Sequence, residues 1–424
     1  MEIKSISGFI KSKAFSSYVI TFGIEFLIML ISVVLFKMVA VKFLDLGFAE
    51  FSINKRLVGF LMPLMMMGMG VSLPKFLPVE SNEKQLQIHY SALIIVTSFF
   101  LLSLALFFLM SNILSKLAFG DYNHEKIFLA SLIYIYSLML HGVIYNFFRG
   151  KFNFVISSLL QLINLGILPL IAYFFAKNIF QYFVILSSST ILLLVLVNIL
   201  FIPLVKIAIV DYVATIRRIV QYGIKRMPGD VVLGLFLAIP AFIGTNYFSI
   251  NVGGNIAFCL SLFNIVIALM SPVNIILLPK ASKIVHEKNF VLLKDISTKL
   301  LFVSFGIGII TLVIVYLFGE NILILFNVKN HIETTGFLNI IFLGIIGFSV
   351  FSVIRSVIDA FYEKARVTSI IIISFLFFLA YIGIVKYFGL FSINNILLAF
   401  TISINVLGLL TYFSLTRIYK TIQK

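Results

Sequence analysis

Charge is the scarcest ingredient of this chain. Only 11% of its 424 residues are Asp, Glu, Lys or Arg, against 61% hydrophobic ones, which leaves no material for a large water-exposed surface and excludes a soluble globular domain. Acidic groups are rarer still, at 16 against 32 basic ones. There is one cysteine, Cys259, in an apolar stretch. It can form no intramolecular disulfide and reads as packing. The five histidines (His89, His124, His141, His286 and His331) are scattered without metal-ligand spacing or a Cys cluster, so no metal site and no cofactor is expected. No GxxxxGK[ST] phosphate loop occurs. The longest polar connections, 206–228 and 280–297, are too short for a nucleotide-binding or catalytic domain, so neither ATP hydrolysis nor enzyme activity is expected. The predicted outer loops are shorter still, which argues against a membrane glycosyltransferase or polymerase.

What the chain has in abundance is apolar runs of about 20 to 25 residues, the length a helix needs to cross roughly 30 Å of hydrocarbon. Candidate spans are 15–36, 48–73, 88–110, 127–148, 152–176, 180–204, 229–249, 255–278, 299–318, 335–358, 367–388 and 395–416. Runs such as Ala92 to Met110 do not alternate, which excludes a β-barrel. The first apolar stretch is too long for a signal-peptide core and lacks a cleavage site, so it is expected to stay as a span.

Lys and Arg gather in alternate connections. With the N-terminus inside, 22 of the 32 fall in inner segments and 7 in outer ones, while Lys55, Arg56 and Arg355 fall inside spans. Both termini are therefore expected to be cytoplasmic. The same asymmetry accounts for the net charge of +16 through orientation and anionic headgroups, without any nucleic-acid partner.

Weak internal matches point to two similar halves. Leu73-Pro74-Lys75 closes the second span and Leu278-Pro279-Lys280 the eighth. Six spans per half make the repeats parallel, related by an axis along the membrane normal. The expected architecture is an all-α polytopic membrane protein of 12 transmembrane helices. A six-helix lobe at 1–205, a basic linker at 206–228 and a six-helix lobe at 229–424 would surround a central cavity.

Charged groups within spans cost free energy and mark function. Lys55 and Arg56 lie about 12 Å into the second span and Glu25 about 15 Å into the first, at 1.5 Å per residue. These depths predict that Glu25 meets Arg56 or Lys55, leaving a cation for an anionic substrate. The alternative is that the second span starts near Leu57 and both cations snorkel to the interface. Arg355 and Asp359 are one turn apart on the tenth span and could pair. Arg149 holds a comparable place on the fourth, and the two arginines suit phosphate. Arg226, Pro228, Gly229 and Asp230 open the seventh span, where Asp230 reads first as a cap. Gln161, Asn164, Asn146 and other uncharged polar residues suit a hydroxyl-rich sugar, though most would simply bridge helices. His141 reads as packing or as a proton exchanger. Pro169, Pro203, Pro240 and Pro272 mark kinks.

In order and spacing, several segments resemble the polysaccharide flippases of bacterial O-antigen and capsule synthesis, within the multidrug/oligosaccharidyl-lipid/polysaccharide exporter superfamily. They are Gly47-Phe48-Ala49-Glu50-Phe51, Leu73-Pro74-Lys75, Phe148-Arg149-Gly150, Tyr222 to Asp230, and Leu278-Pro279-Lys280-Ala281-Ser282. The resemblance implies movement of an undecaprenyl-diphosphate-linked oligosaccharide across the bacterial inner membrane by alternating access. Lys55, Arg56, Arg149 and Arg355 would hold the diphosphate or acidic sugars. Glu25, Asp359 and Asp230 would be coupling or ion-pair candidates, with sodium or a proton as the coupling ion. Membrane lipids and other glycan-assembly membrane proteins would be the remaining partners. The rivals are a cation-coupled multidrug exporter of the same superfamily, whose cavity should be acidic or apolar, and a lipid II flippase, which typically carries two further spans.

Overall fold

The computed structural model describes residues 13–77, 80–151, 153–203, 209–225, 227–268, 277, 281, 284–285, 287–362 and 365–422. Arg226, Pro272, His286 and Leu278-Pro279-Lys280 lie outside the described residues. Helix is the only regular structure among those described. In a bilayer a helix satisfies its own backbone groups, so apolar runs of this length have no other open form. Nine described helices are long and apolar enough to cross a membrane, or ten if one bent pair counts as a single span. The chain is a multi-pass membrane protein.

The chain divides into two compact units, Met1–Met227 and Pro228–Lys424. The first opens with α1, Lys13–Met66, which breaks at Leu44 (φ 57°, ψ −166°). Its two limbs, 13–43 and 45–66, fold back on each other, since Phe36 meets Phe51 edge-on at 5.1 Å and Phe48 at 6.5 Å. Then follow α2 (Met69–Phe76), α3 (Asn82–Phe119) and α4 (Glu125–Gly150). A fifth rod consists of α5 (Phe154–Leu162), a π turn (Ile163–Ile167) and α6 (Leu168–Phe175). The wide turn ends two residues before Pro169, which has no N–H to give the helix ladder. The unit closes with α7 (Ile179–Phe201) and α8 (Ile209–Ile224).

Helix α4 is the axis of this unit. It is 78% buried along its apolar window, against 17–33% for the other long helices of the unit. A helix apolar on every side belongs at the centre of a bundle, and α4 packs on α1, α2, α3, α5 and α7.

Within the basic segment between the halves, Ile209–Ile224 is helical. α8 lies along α2 and α3, where Gln87 donates to Thr215 Oγ1 (2.8 Å) and to the Asp211 carbonyl (2.6 Å), and Arg218 pairs with Glu80 (2.7 Å). Gly68, at φ 69°, lets the backbone of the α1–α2 turn touch that of Gly223, with no room for a Cβ on either side.

The second unit contains α9 (Met227–Tyr247), α10 (Ile250–Ala268), α11 (Phe290–Leu325), α12 (His331–Phe342), α13 (Ile345–Phe361), α14 (Arg366–Tyr387) and α15 (Ile393–Ile422). α12 and α13 form the bent pair, at 43°. Here α13 is the buried axis, between α11 and α15. Gly347 and Gly408 meet back to back, so that a Cβ on Gly408 would stand 2.5 Å from the Gly347 Cα. Small residues at such a crossing let two membrane helices pack backbone to backbone. Cys259 is fully buried, its Sγ 3.8 Å from the Thr334 carbonyl.

Candidate functional site

Lys55 and Arg56 sit in the second limb of α1, which is helical on both sides of them. At 1.5 Å per residue they lie about 17 Å from the reversal at Leu44. That is close to the middle of the limb, which runs from 45 to 66. Both are half-buried, next to the fully buried stretch Phe51, Ser52, Ile53 and Asn54. The Lys55 ammonium stands 5.5 Å from the Phe51 ring centroid. Phe51 is itself fixed by Phe36, by Tyr182 at 5.6 Å and by Phe183 at 6.0 Å. Asn54 Nδ2 donates to Ser131 Oγ at 2.5 Å, tying this limb to α4. The cations thus stand on a rigid aromatic and polar base, which limits where they can swing.

Glu25 has a different partner from the one its sequence depth suggested. Gln161 Nε2 donates to Glu25 Oε1 at 2.7 Å, and Arg149 supplies the neighbouring positive charge. The reason is length. The first limb runs on to residue 43, so Glu25 lies about 28 Å from Leu44, roughly 11 Å off the level of Lys55 and Arg56.

Glu25 belongs to a polar seam across three helices. Thr21 and Glu25 are one turn apart on α1, His141, Tyr145 and Arg149 are successive turns of α4, and Ser158, Gln161 and Asn164 follow along the α5 rod. Thr21 and Ser158 hydroxyls are 3.1 Å apart, and Asn164 Nδ2 lies 2.9 Å from His141 Nδ1. His141 stacks on Tyr145 at 5.7 Å, and the Arg149 guanidinium stands 5.9 Å from the Tyr145 ring. Asn164 lies inside the π turn, a register shift that is frequent at functional sites. A carboxylate, an imidazole, a phenol and two amides on one seam can hold a small cation or pass a proton. The sequence carried a signal for this seam in the three- and four-residue spacing of polar groups on separate spans, although Thr21, Tyr145 and Ser158 do not stand out there and nothing in it links Gln161 to Glu25.

In the second unit, Arg355 is half-buried with its guanidinium 5.8 Å from the Phe351 ring. Phe351 lies one turn before it and Asp359 one turn after, so the arginine leans away from the expected partner, in the direction helical side chains favour. Asp359 is exposed. Asp230 is also exposed, in the first turn of α9, where a carboxylate complements the helix dipole.

A third cluster lies in the α3–α4 connection. His124 Nδ1 is 2.6 Å from Asp121 Oδ1 and its Nε2 is 3.2 Å from Glu50 Oε1. Burial opposes its charge, yet the hydrogen bonds to Glu50 and Asp121 and their charges prevail and hold the imidazole above its ordinary pKa. No set of three or more His, Cys, Asp or Glu that could hold a metal ion occurs among the described residues.

No family model and no curated protein matches the chain. Solved structures do. An inward-facing multidrug resistance MATE family transporter of the MOP superfamily superposes with a TM-score of 0.71 at 11% identity, over 96% of this chain and 99% of that one. The lipid II flippase MurJ, in an inward closed conformation, gives 0.74 at 15% identity, over 95% and 87%. A MOP superfamily transporter from Pyrococcus furiosus, described as having a binding pocket of reverse polarity, gives 0.64 at 12% identity, over 96% and 95%. At these identities the likeness is one of fold. The chain has the fold of MOP superfamily transporters, and these similar structures are transporters and flippases rather than enzymes.

Proposed function

We propose that this chain is a twelve-span flippase that carries an undecaprenyl-diphosphate-linked oligosaccharide from the cytoplasmic to the outer leaflet of the bacterial inner membrane, with both termini cytoplasmic. The observation that carries this reading is the placement of Lys55 and Arg56 in succession near the middle of the second limb of α1, with Lys55 beside the packed Phe51 ring, which in this reading is the middle of the membrane. Cations are costly there unless they face a polar path or an anion. A diphosphate with a polar glycan supplies the anion, and its lipid tail can stay in the bilayer. Arg149 and Arg355 would extend the basic track in each lobe. The lipid II flippase among the similar structures handles a lipid-linked substrate, which favours the same class of cargo.

In this reading Glu25 is the coupling group. Protonation or sodium binding would weaken both the hydrogen bond from Gln161 and the attraction to Arg149, giving two states of one seam. Asp230 and Asp359, both exposed, would serve as helix-end charges rather than in coupling.

The same seam favours the second reading, a cation-coupled exporter of organic cations, because an acidic group in a polar cleft suits that cargo. Two adjacent cations at the centre of the membrane repel it. A gene deletion complemented by wild type or Arg56→Ala separates the readings. The flippase reading expects lipid-linked repeat units to accumulate on the inner leaflet, loss of surface glycan, and rescue by wild type alone. Intact surface glycan with altered drug resistance would select the exporter.

A further inference from the structure

A groove of about 400 Å³ runs between α14 and α15, far along the chain from the Lys55–Arg56 pair. Its mouth carries Arg366, Arg417 and Lys420 with Ser369, and its wall is apolar, with Ile373 and Phe413 53% and 60% exposed. The three cations meet because α14 begins where α15 ends, so the antiparallel pair places all of them at one end, the predicted cytoplasmic one. Among the described residues none of the three makes an ion pair. The basic groove on α8 differs, because there Arg218 is already matched by Glu80 at 2.7 Å. Ala365, at the N-cap of α14, has no side-chain acceptor for the first amides, which adds positive potential at the same mouth.

We propose that this groove is a binding site for an anionic glycerophospholipid, with the phosphate held by Arg366, Arg417, Lys420 and the Ser369 hydroxyl and an acyl chain lying along Ile373 and Phe413. A basic mouth over an exposed apolar channel between two helices matches both halves of such a lipid. A soluble anion would use only the mouth. The site is independent of the transported cargo, and requires only that the unit be embedded in a charged leaflet.

The chain has no tryptophan, so Phe413→Trp introduces a single tryptophan at the groove, excited selectively over the 17 tyrosines. Reconstituted in phosphatidylcholine vesicles with increasing brominated phosphatidylglycerol, this reporter is expected to be quenched as if anionic lipid were enriched about 5-fold, the factor one Lys or Arg near a charged surface supplies. Adding Arg366→Gln, Arg417→Gln and Lys420→Gln should return the ratio to about 1, with folding preserved because Arg417 and Lys420 are exposed and Arg366 lies at a helix end. A Phe302→Trp reporter on α11, where Lys299 is paired with Asp295 at 2.7 Å and Phe302 is 71% exposed, should read about 1 throughout. The proposal is overturned by a ratio of 1 at the Phe413 reporter, by an unchanged ratio in the triple variant, or by equal enrichment at Phe302. Displacement by millimolar inorganic phosphate would overturn it too, by marking a free-phosphate site.

Discussion

Gln161 donates to Glu25 at 2.7 Å, joining α5 to α1 across 136 residues of sequence. The bond gives a carboxylate inside the first unit one fixed partner while Arg149 stands near enough to feel its charge. A carboxylate held this way can respond to a proton or a cation without the helix having to move first.

Glu25→Gln should therefore keep membrane insertion and lose transport. The expected outcome is a normal amount of folded protein in the membrane with surface glycan reduced at least tenfold. Gln161→Leu should shift the pH or sodium dependence of transport while leaving some activity. Flux in vesicles under imposed sodium and proton gradients checks both, and unchanged gradient dependence in Glu25→Gln would remove the glutamate from coupling.

Replacing Arg56 by Ala or Glu should abolish glycan export, the glutamate change most completely. Lys55→Arg should retain most activity because the cation survives. Surface glycan staining with quantified protein in the membrane is the measurement. Wild-type export by Arg56→Glu would rule out a cationic substrate contact.

The His124 clamp makes stability depend on pH with a defined sign. Its pKa is raised by folding, so the stabilisation is complete below the ordinary histidine value and is lost as pH rises through the higher folded value. His124→Gln should lower the melting temperature clearly at about pH 5.5 and little at about pH 9. Thermal unfolding of both proteins across that range tests it, and a pH-independent difference would refute the clamp.

Gly408→Ala should cost about 1–3 kcal/mol, the usual penalty for overpacking, because its methyl would press on the Gly347 backbone. Gly383→Ala, where nothing lies within 4 Å, is the matched control. Melting of the two variants in the same detergent gives the comparison.

The sequence by itself determined that this chain crosses the membrane many times as helices, because hydrocarbon length and backbone hydrogen bonding leave no other outcome for apolar runs such as Ala92 to Met110. It also located the unusual charges, since Lys55, Arg56 and Glu25 stand out wherever the neighbours fold. Partnership was decided only in three dimensions. Glu25 turned to Gln161 and Arg149 because the first limb of α1 continues to residue 43, and depth in a bilayer follows helix ends that apolar runs mark poorly. The His141–Asn164 contact depends on a single π turn, and the Glu50–His124–Asp121 clamp on a loop folding back over a hairpin. Periodicity fixes which face of a helix is polar. Which helix it meets, and at what height, follows from packing between elements far apart in the chain.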